Sequence, residues 1–145
     1  MEIYTIGFTK KTAEKFFETL KRAGIRRLVD VRLNNVSQLA GFTKKNDLDY
    51  FLKEICGAEY IHEPLLAPTA KLLNAYKKKE IDWGAYESSF IALIRERKIE
   101  DNLDKHLFAI PSVLLCSEAT SEQCHRRLVA DYLANKWHLA GIKHL

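Results

Sequence analysis

Apolar positions along this chain fall into two periods that take turns, short runs of strand length and longer stripes at helical spacing. Residues 2–6 are a strand candidate closed by Gly7. Ala13, Phe16, Phe17, Leu20 and Ala23 then follow a helical stripe, and Gly24 supplies the stop. Residues 25–31 read as a second strand, mostly from Arg27 onward. Residues 33–45 are polar and weakly periodic, a long loop with room for one helical turn. Leu48, Phe51, Leu52 and Ile55 predict a helix ending at Gly57, and residues 58–62 a short third strand before Pro64.

Pro68 is expected to open a helix reaching about Lys79, through Leu72, Leu73 and Tyr76. Trp83, Tyr86, Phe90, Leu93 and Ile94 mark a stronger helix through Arg97. Leu103, Leu107 and Phe108 suggest one more, stopped by Pro111. Residues 112–116 are the fourth strand, apolar from Val113 to Cys116, and a helical pattern begins at about Ser121. Leu128, Val129, Tyr132 and Leu133 are its stripe, and residues 141–145 can supply a last strand. Strands alternating with helices require crossovers. The expected fold is one three-layer α/β domain over residues 1–145, a mainly parallel sheet of about five strands with helices on both faces.

The 145 residues suffice for a core without staples, and 47% apolar with 29% charged is ordinary for a globular protein. No window of about 18 apolar residues suits a membrane span, and no membrane partner is expected. The start lacks signal-peptide features, and three cysteines, an odd number, predict free thiols in a reducing cytoplasm. The net charge of +4 is mild; Lys10-Lys11, Lys44-Lys45 and the run 77–79 read mainly as solvated ends.

In a parallel sheet the strand ends share one edge, where open α/β folds bind ligands. That edge should gather Gly7, Phe8, Thr9 and Lys10; Asp30 and Arg32; His62 and Glu63; and Cys116, Ser117 and Glu118. Thr120 and Gln123 have capping-box spacing, which sets Cys124, His125 and Arg126 in or just past a first helical turn. His125 shares the sheet-facing stripe with Leu128, Val129 and Tyr132. Arg126 lies beside that stripe, while Arg127 can pair with Asp131.

Together, Thr5-Ile6-Gly7, residues 28–32, Tyr60-Ile61-His62 and the motif C-x-E-x5-C-H-R from Cys116 to Arg126 resemble the domain of unknown function 488 family. The family often carries a histidine where this chain has Phe8. The resemblance implies a compact α/β fold with one motif-lined site, and assigns no activity.

The candidate chemistry is carried by Cys116, Glu118, Cys124 and His125 as catalytic groups, with Cys116 or Cys124 as nucleophile and Glu118 and His125 as acid and base. Thr9, Lys10, Asp30, Arg32, His62 and Arg126 are the candidate ligand-binding groups, suited to an anion. Arg32 can instead merely pair with Asp30 or Glu63. The C-x5-R phosphatase spacing fails, since Glu122 stands six residues after Cys116. A Cys2His2 site from Cys116, Cys124, His125 and His62 matches no common zinc spacing, so no metal is assigned. No dinucleotide or P-loop motif is present, and no cofactor is expected. The aromatic stripes read as packing; Phe42 and Tyr60 border the expected pocket and could stack on a base.

The leading expectation is an enzyme acting on a phosphate-bearing small molecule, a nucleotide or a nucleic-acid end. The alternatives are a non-catalytic nucleic-acid or anion-binding module, and a thiol redox sensor using Cys116 and Cys124. Oligomeric state is left open.

Overall fold

Each apolar run becomes a strand whose alternate side chains enter opposite cores. The computed structural model describes residues 2–35, 41–118 and 122–145. Its strands are β1 (Glu2–Gly7), β2 (Arg27–Asp30), β3 (Glu59–His62), β4 (Ser112–Cys116) and β5 (Gly141–His144). They form one parallel sheet in the order β3-β2-β4-β1-β5. The central β4 is buried at every position, so its run is apolar rather than alternating.

The helices are α1 (Ala13–Arg22), α2 (Lys45–Phe51), α3 (Ala70–Lys77), α4 (Trp83–Glu96), α5 (Ile99–Asn102) and α6 (His125–Lys136). The chain steps outward from β1 to β2 and β3, then turns back to β4 and on to β5. Right-handed crossovers laid in opposite directions put helices on opposite faces. On one face Phe16, Phe17 and Leu20 of α1 and Leu48 of α2 pack on Ile6, Leu28, Val113 and Leu115. On the other, Tyr86, Phe90 and Ile94 of α4 and Leu128, Val129 and Leu133 of α6 cover Ile3, Val29, Leu114 and Cys116.

Local chemistry sets most of the ends. Thr12, Thr69 and Asp82 cap α1, α3 and α4 by accepting backbone N–H bonds. Beyond α2 the chain widens into a π-helical turn, Leu52–Cys56, which Gly57 ends at φ 61°.

Three expectations are corrected. No helix spans Leu103, Leu107 and Phe108: α5 ends at Asn102, Leu103 is extended, and the chain turns where Asp104 accepts from the His106 N–H. Those residues reach the core through turns, which happens to mimic helical spacing. The helix expected from Pro68 to Lys79 starts at Ala70, after its Thr69 cap, and ends at Lys77. The last helix starts at His125 rather than near Ser121, because Cys124 is extended at φ −139° and ψ 138°. Thr120, of the expected capping box, lies outside the described residues.

Candidate functional site

Register brings the sequence motifs together at the carboxyl edge. Cys116 stands opposite Gly7 on β1, Leu115 opposite Asp30 on β2, and Asp30 opposite His62 on β3. Beyond β4, Ser117 accepts the Thr9 N–H at 3.0 Å. The Glu118 carbonyl lies over Gly7, where any β-carbon would sit 1.5 Å from its oxygen. Glycine is therefore required sterically, not for an unusual backbone angle.

His125, the first residue of α6, reaches back to the strand edge. Its Nε2 lies 2.7 Å from the Val31 carbonyl oxygen, an acceptor only, so Nε2 carries the proton. When the ring is neutral, this tautomer puts the lone pair of Nδ1 toward Cys116 Sγ, 3.4 Å away. Phe90 supports the ring edge-on, with centroids 5.3 Å apart. A thiol, a base and a group orienting the base thus stand in line, the arrangement that nucleophilic catalysis uses.

The surroundings favour charge on one sulfur. The Cys124 thiol donates to Cys116 and lowers its pKa, opposed by burial and helped by the Arg126 charge and the amides of Ser117 and Glu118. Burial and the neighbouring Cys116 push the Cys124 thiol well up, so it keeps its proton and donates. Cys56, half-buried on the far core, is also raised, chiefly by burial.

The two arginines play different parts. Arg126 is 1% exposed; one Nη donates to the Glu118 carbonyl at 2.7 Å, and Nε is buried with no partner among the described residues. Among the described residues no carboxylate pairs with it, which leaves the Cys116 sulfur as a natural countercharge. Arg127 makes the expected pair with Asp131, and another with Glu87. Arg32 is committed to Asp30 in a bidentate pair at 2.9 and 2.8 Å, and also donates to the Thr43 carbonyl. Tyr60 donates to the same Asp30 carboxylate at 2.6 Å and accepts from Asn35. His62 sits 2.9 Å from the Arg32 carbonyl oxygen.

A cavity of about 700 Å³ opens on this cluster. Cys116, Glu118, Cys124, His125 and Arg32 line it; Thr9, Lys10, Asp30, His62 and Arg126 do not. Thr9 ties to Ser117, Asp30 holds Arg32 from behind, and Lys10 is exposed at φ 62°. The lining cations Arg32, Lys77 and Lys79 face the acids Glu80, Asp82 and Glu118, so the hollow is balanced rather than electropositive. Phe8 lines it too and lies over the Arg32 guanidinium, 5.3 Å from its ring centroid.

The aromatic wall was not expected. Tyr76, Trp83 and Tyr86 line the cavity, with Trp83 and Tyr86 stacked at 5.4 Å and Tyr76 4.8 Å from Tyr86. Their helical spacing is that of core residues; the available signal was that Trp83 directly follows the cap Asp82, at the rim end of α4. Phe42, expected to border the pocket, packs instead on Phe16 and Phe17, and Tyr60 is held by Asp30.

Cys116, Cys124 and His125 each offer a buried donor atom, all within 4.8 Å of one another. Three such atoms, with the second ring nitrogen held by a carbonyl, could hold a soft divalent ion and leave a position toward the cavity. His62 is not part of this group.

Among the described residues, no helix is long and apolar enough to cross a membrane. No curated protein and no solved structure matches the chain. A family model matches residues 12–133, most of its length including the Cys-Glu-Cys-His-Arg motif at this edge, and the chain belongs to that family, described as Domain of unknown function DUF488.

Proposed function

We propose that this protein is an enzyme with a cysteine nucleophile, acting on a small molecule bound in the cavity at the carboxyl edge. The observation that carries the reading is the Cys116–His125 pair, 3.4 Å apart, with the imidazole held in one tautomer by Val31. Cys116 attacks, His125 takes its proton at Nδ1 and returns it to the leaving group, and Cys124 donates to the sulfur. Glu118 lines the same hollow and is a second candidate for proton transfer. A volume of about 700 Å³ suits a substrate of metabolite size. A phosphate on that substrate would meet Lys77 and Lys79, and Arg32, though paired with Asp30, still offers Nη1, which has no partner among the described residues; Arg126 lies behind the loop.

The test is the rate of iodoacetamide labelling at each cysteine, read by mass spectrometry at neutral pH, with bound metal measured on the same sample. Cys116 is expected to label first, and His125→Gln to slow it at least tenfold. Labelling of Cys116 no faster than Cys56 overturns the reading and favours a passive binding module. Stoichiometric zinc, with labelling only after chelation, overturns it in favour of a metal site. A Cys116–Cys124 disulfide formed by mild oxidation, without turnover of any acyl or phosphoryl probe, favours the redox sensor.

A further inference from the structure

One polar group at the cavity has no task within the protein. Tyr86 is 2% exposed, lines the cavity beside Cys116, Cys124 and Glu118, and its hydroxyl has no hydrogen-bond partner among the described residues. That oxygen is not among the fully buried, unsatisfied side-chain atoms either, so the little surface Tyr86 keeps is toward the cavity. A donor in this position costs free energy unless something entering the hollow accepts from it.

The ring is well held. It stacks on Trp83 at 5.4 Å and on Phe90 at 6.2 Å with an interplanar angle of 4°, and Tyr76 closes a third side at 4.8 Å. Phe90 in turn touches the His125 ring. One aromatic chain thus fixes both the hydroxyl and the base. Burial and the neighbouring thiols raise the Tyr86 pKa, so the phenol keeps its proton and acts only as a donor. A fixed neutral donor beside a nucleophile matches what a developing oxyanion needs.

We propose that the Tyr86 hydroxyl receives the carbonyl oxygen of an acyl substrate, an ester or thioester, as Cys116 attacks its carbon. The proposal rests on the cysteine-nucleophile reading and names its substrate class. The Cys116 sulfur forms a bond to the carbonyl carbon while His125 takes the thiol proton. The carbonyl π pair moves to oxygen, where Tyr86 donates. Collapse of that adduct re-forms the C=O bond and breaks the bond to the leaving alcohol or thiol, which takes the proton from His125. Water then cleaves the acyl-Cys116 thioester, releasing the acid and restoring the thiol.

The test compares two reagents on the same sulfur. p-Nitrophenyl acetate acylates Cys116 through an oxyanion and releases p-nitrophenolate; iodoacetamide alkylates it by displacing iodide from a saturated carbon, with no oxyanion. Tyr86→Phe is expected to lower acylation by roughly a hundredfold, with alkylation unchanged within about twofold. Unchanged acylation overturns the proposal, and so does an equal fall in both rates, which marks a structural role. Should Tyr86→Phe not fold, fluorotyrosine at this position keeps the shape and alters donor strength; acylation must change while alkylation does not. Wild-type protein that neither reagent modifies at Cys116 defeats the nucleophile reading itself. Fast alkylation with no acylation defeats only the acyl-substrate proposal.

Discussion

The carbonyl of Glu118 occupies the space in which a side chain on Gly7 would begin, 1.5 Å from the position of a β-carbon. The neighbouring atom is backbone, and Arg126 holds that carbonyl from the other side at 2.7 Å. Neither can yield without moving the loop whose amides face Cys116. Gly7→Ala is therefore expected to cost about 1–3 kcal/mol or more in urea unfolding. It should also slow Cys116 labelling, whereas Gly84→Ala, with only a side-chain oxygen at 3.5 Å, leaves labelling unchanged.

The thiols should separate in pH. Cys116 is lowered from the ordinary value of 9.0 by the Cys124 donor and Arg126, while Cys56 is raised from it by burial. Because only the thiolate reacts, the labelling rate of Cys116 levels off below pH 9.0 and that of Cys56 only above it. The ratio of the two rates grows as pH falls, until Cys116 itself begins to take up its proton, and is constant below that. Rate–pH profiles by mass spectrometry check this; coincident profiles contradict it.

Asp30 and Arg32 are 0% and 5% exposed, and Arg32 supplies three of the four hydrogen bonds that the Asp30 carboxylate accepts among the described residues. Asp30→Asn leaves a guanidinium buried without a countercharge and is expected to cost about 3–5 kcal/mol. Tyr60→Phe removes one bond to the same carboxylate from a half-buried position and should cost about 1–2 kcal/mol. Urea titration of both variants gives the order; a costlier Tyr60→Phe would contradict this account of the network.

Trp83 lines the cavity, whereas Trp137 packs on Phe108 and donates to the Glu100 carbonyl. In a Trp137→Phe background, a ligand entering the cavity is expected to change the emission of Trp83. The same ligand should protect Cys116 from iodoacetamide at matching concentrations. Emission changes without protection would place that ligand elsewhere.

The layered architecture and most element boundaries were legible because period, glycine stops and caps such as Thr12 and Asp82 act locally. The meeting of Cys116 with His125 could be read too, since parallel strands share one edge and His125 lies on the sheet-facing stripe of α6. Partner choice at that edge could not. Whether Arg32 turns to a ligand or to Asp30 depends on geometry two residues apart in sequence, and both readings fit the same letters. Arg126 looked like a pocket cation because its place on the helix was right; the Glu118 carbonyl, drawn over a bare Gly7, takes it instead. The wall of Tyr76, Trp83 and Tyr86 was hidden for another reason. Core packing and cavity lining use the same helical spacing, so the pattern along α3 and α4 does not tell them apart.

Strand β4 lies between β1 and β2, though both are synthesised long before it. A nascent chain emerging from the ribosome therefore holds the β2–β3 pair and a lone β1, with a gap between them that only the late segment ending at Cys116 can fill. Closing that gap is a long-range event, slow in chain-entropy terms. Cys116 is delivered by the same step that joins β1 to β2 across the sheet.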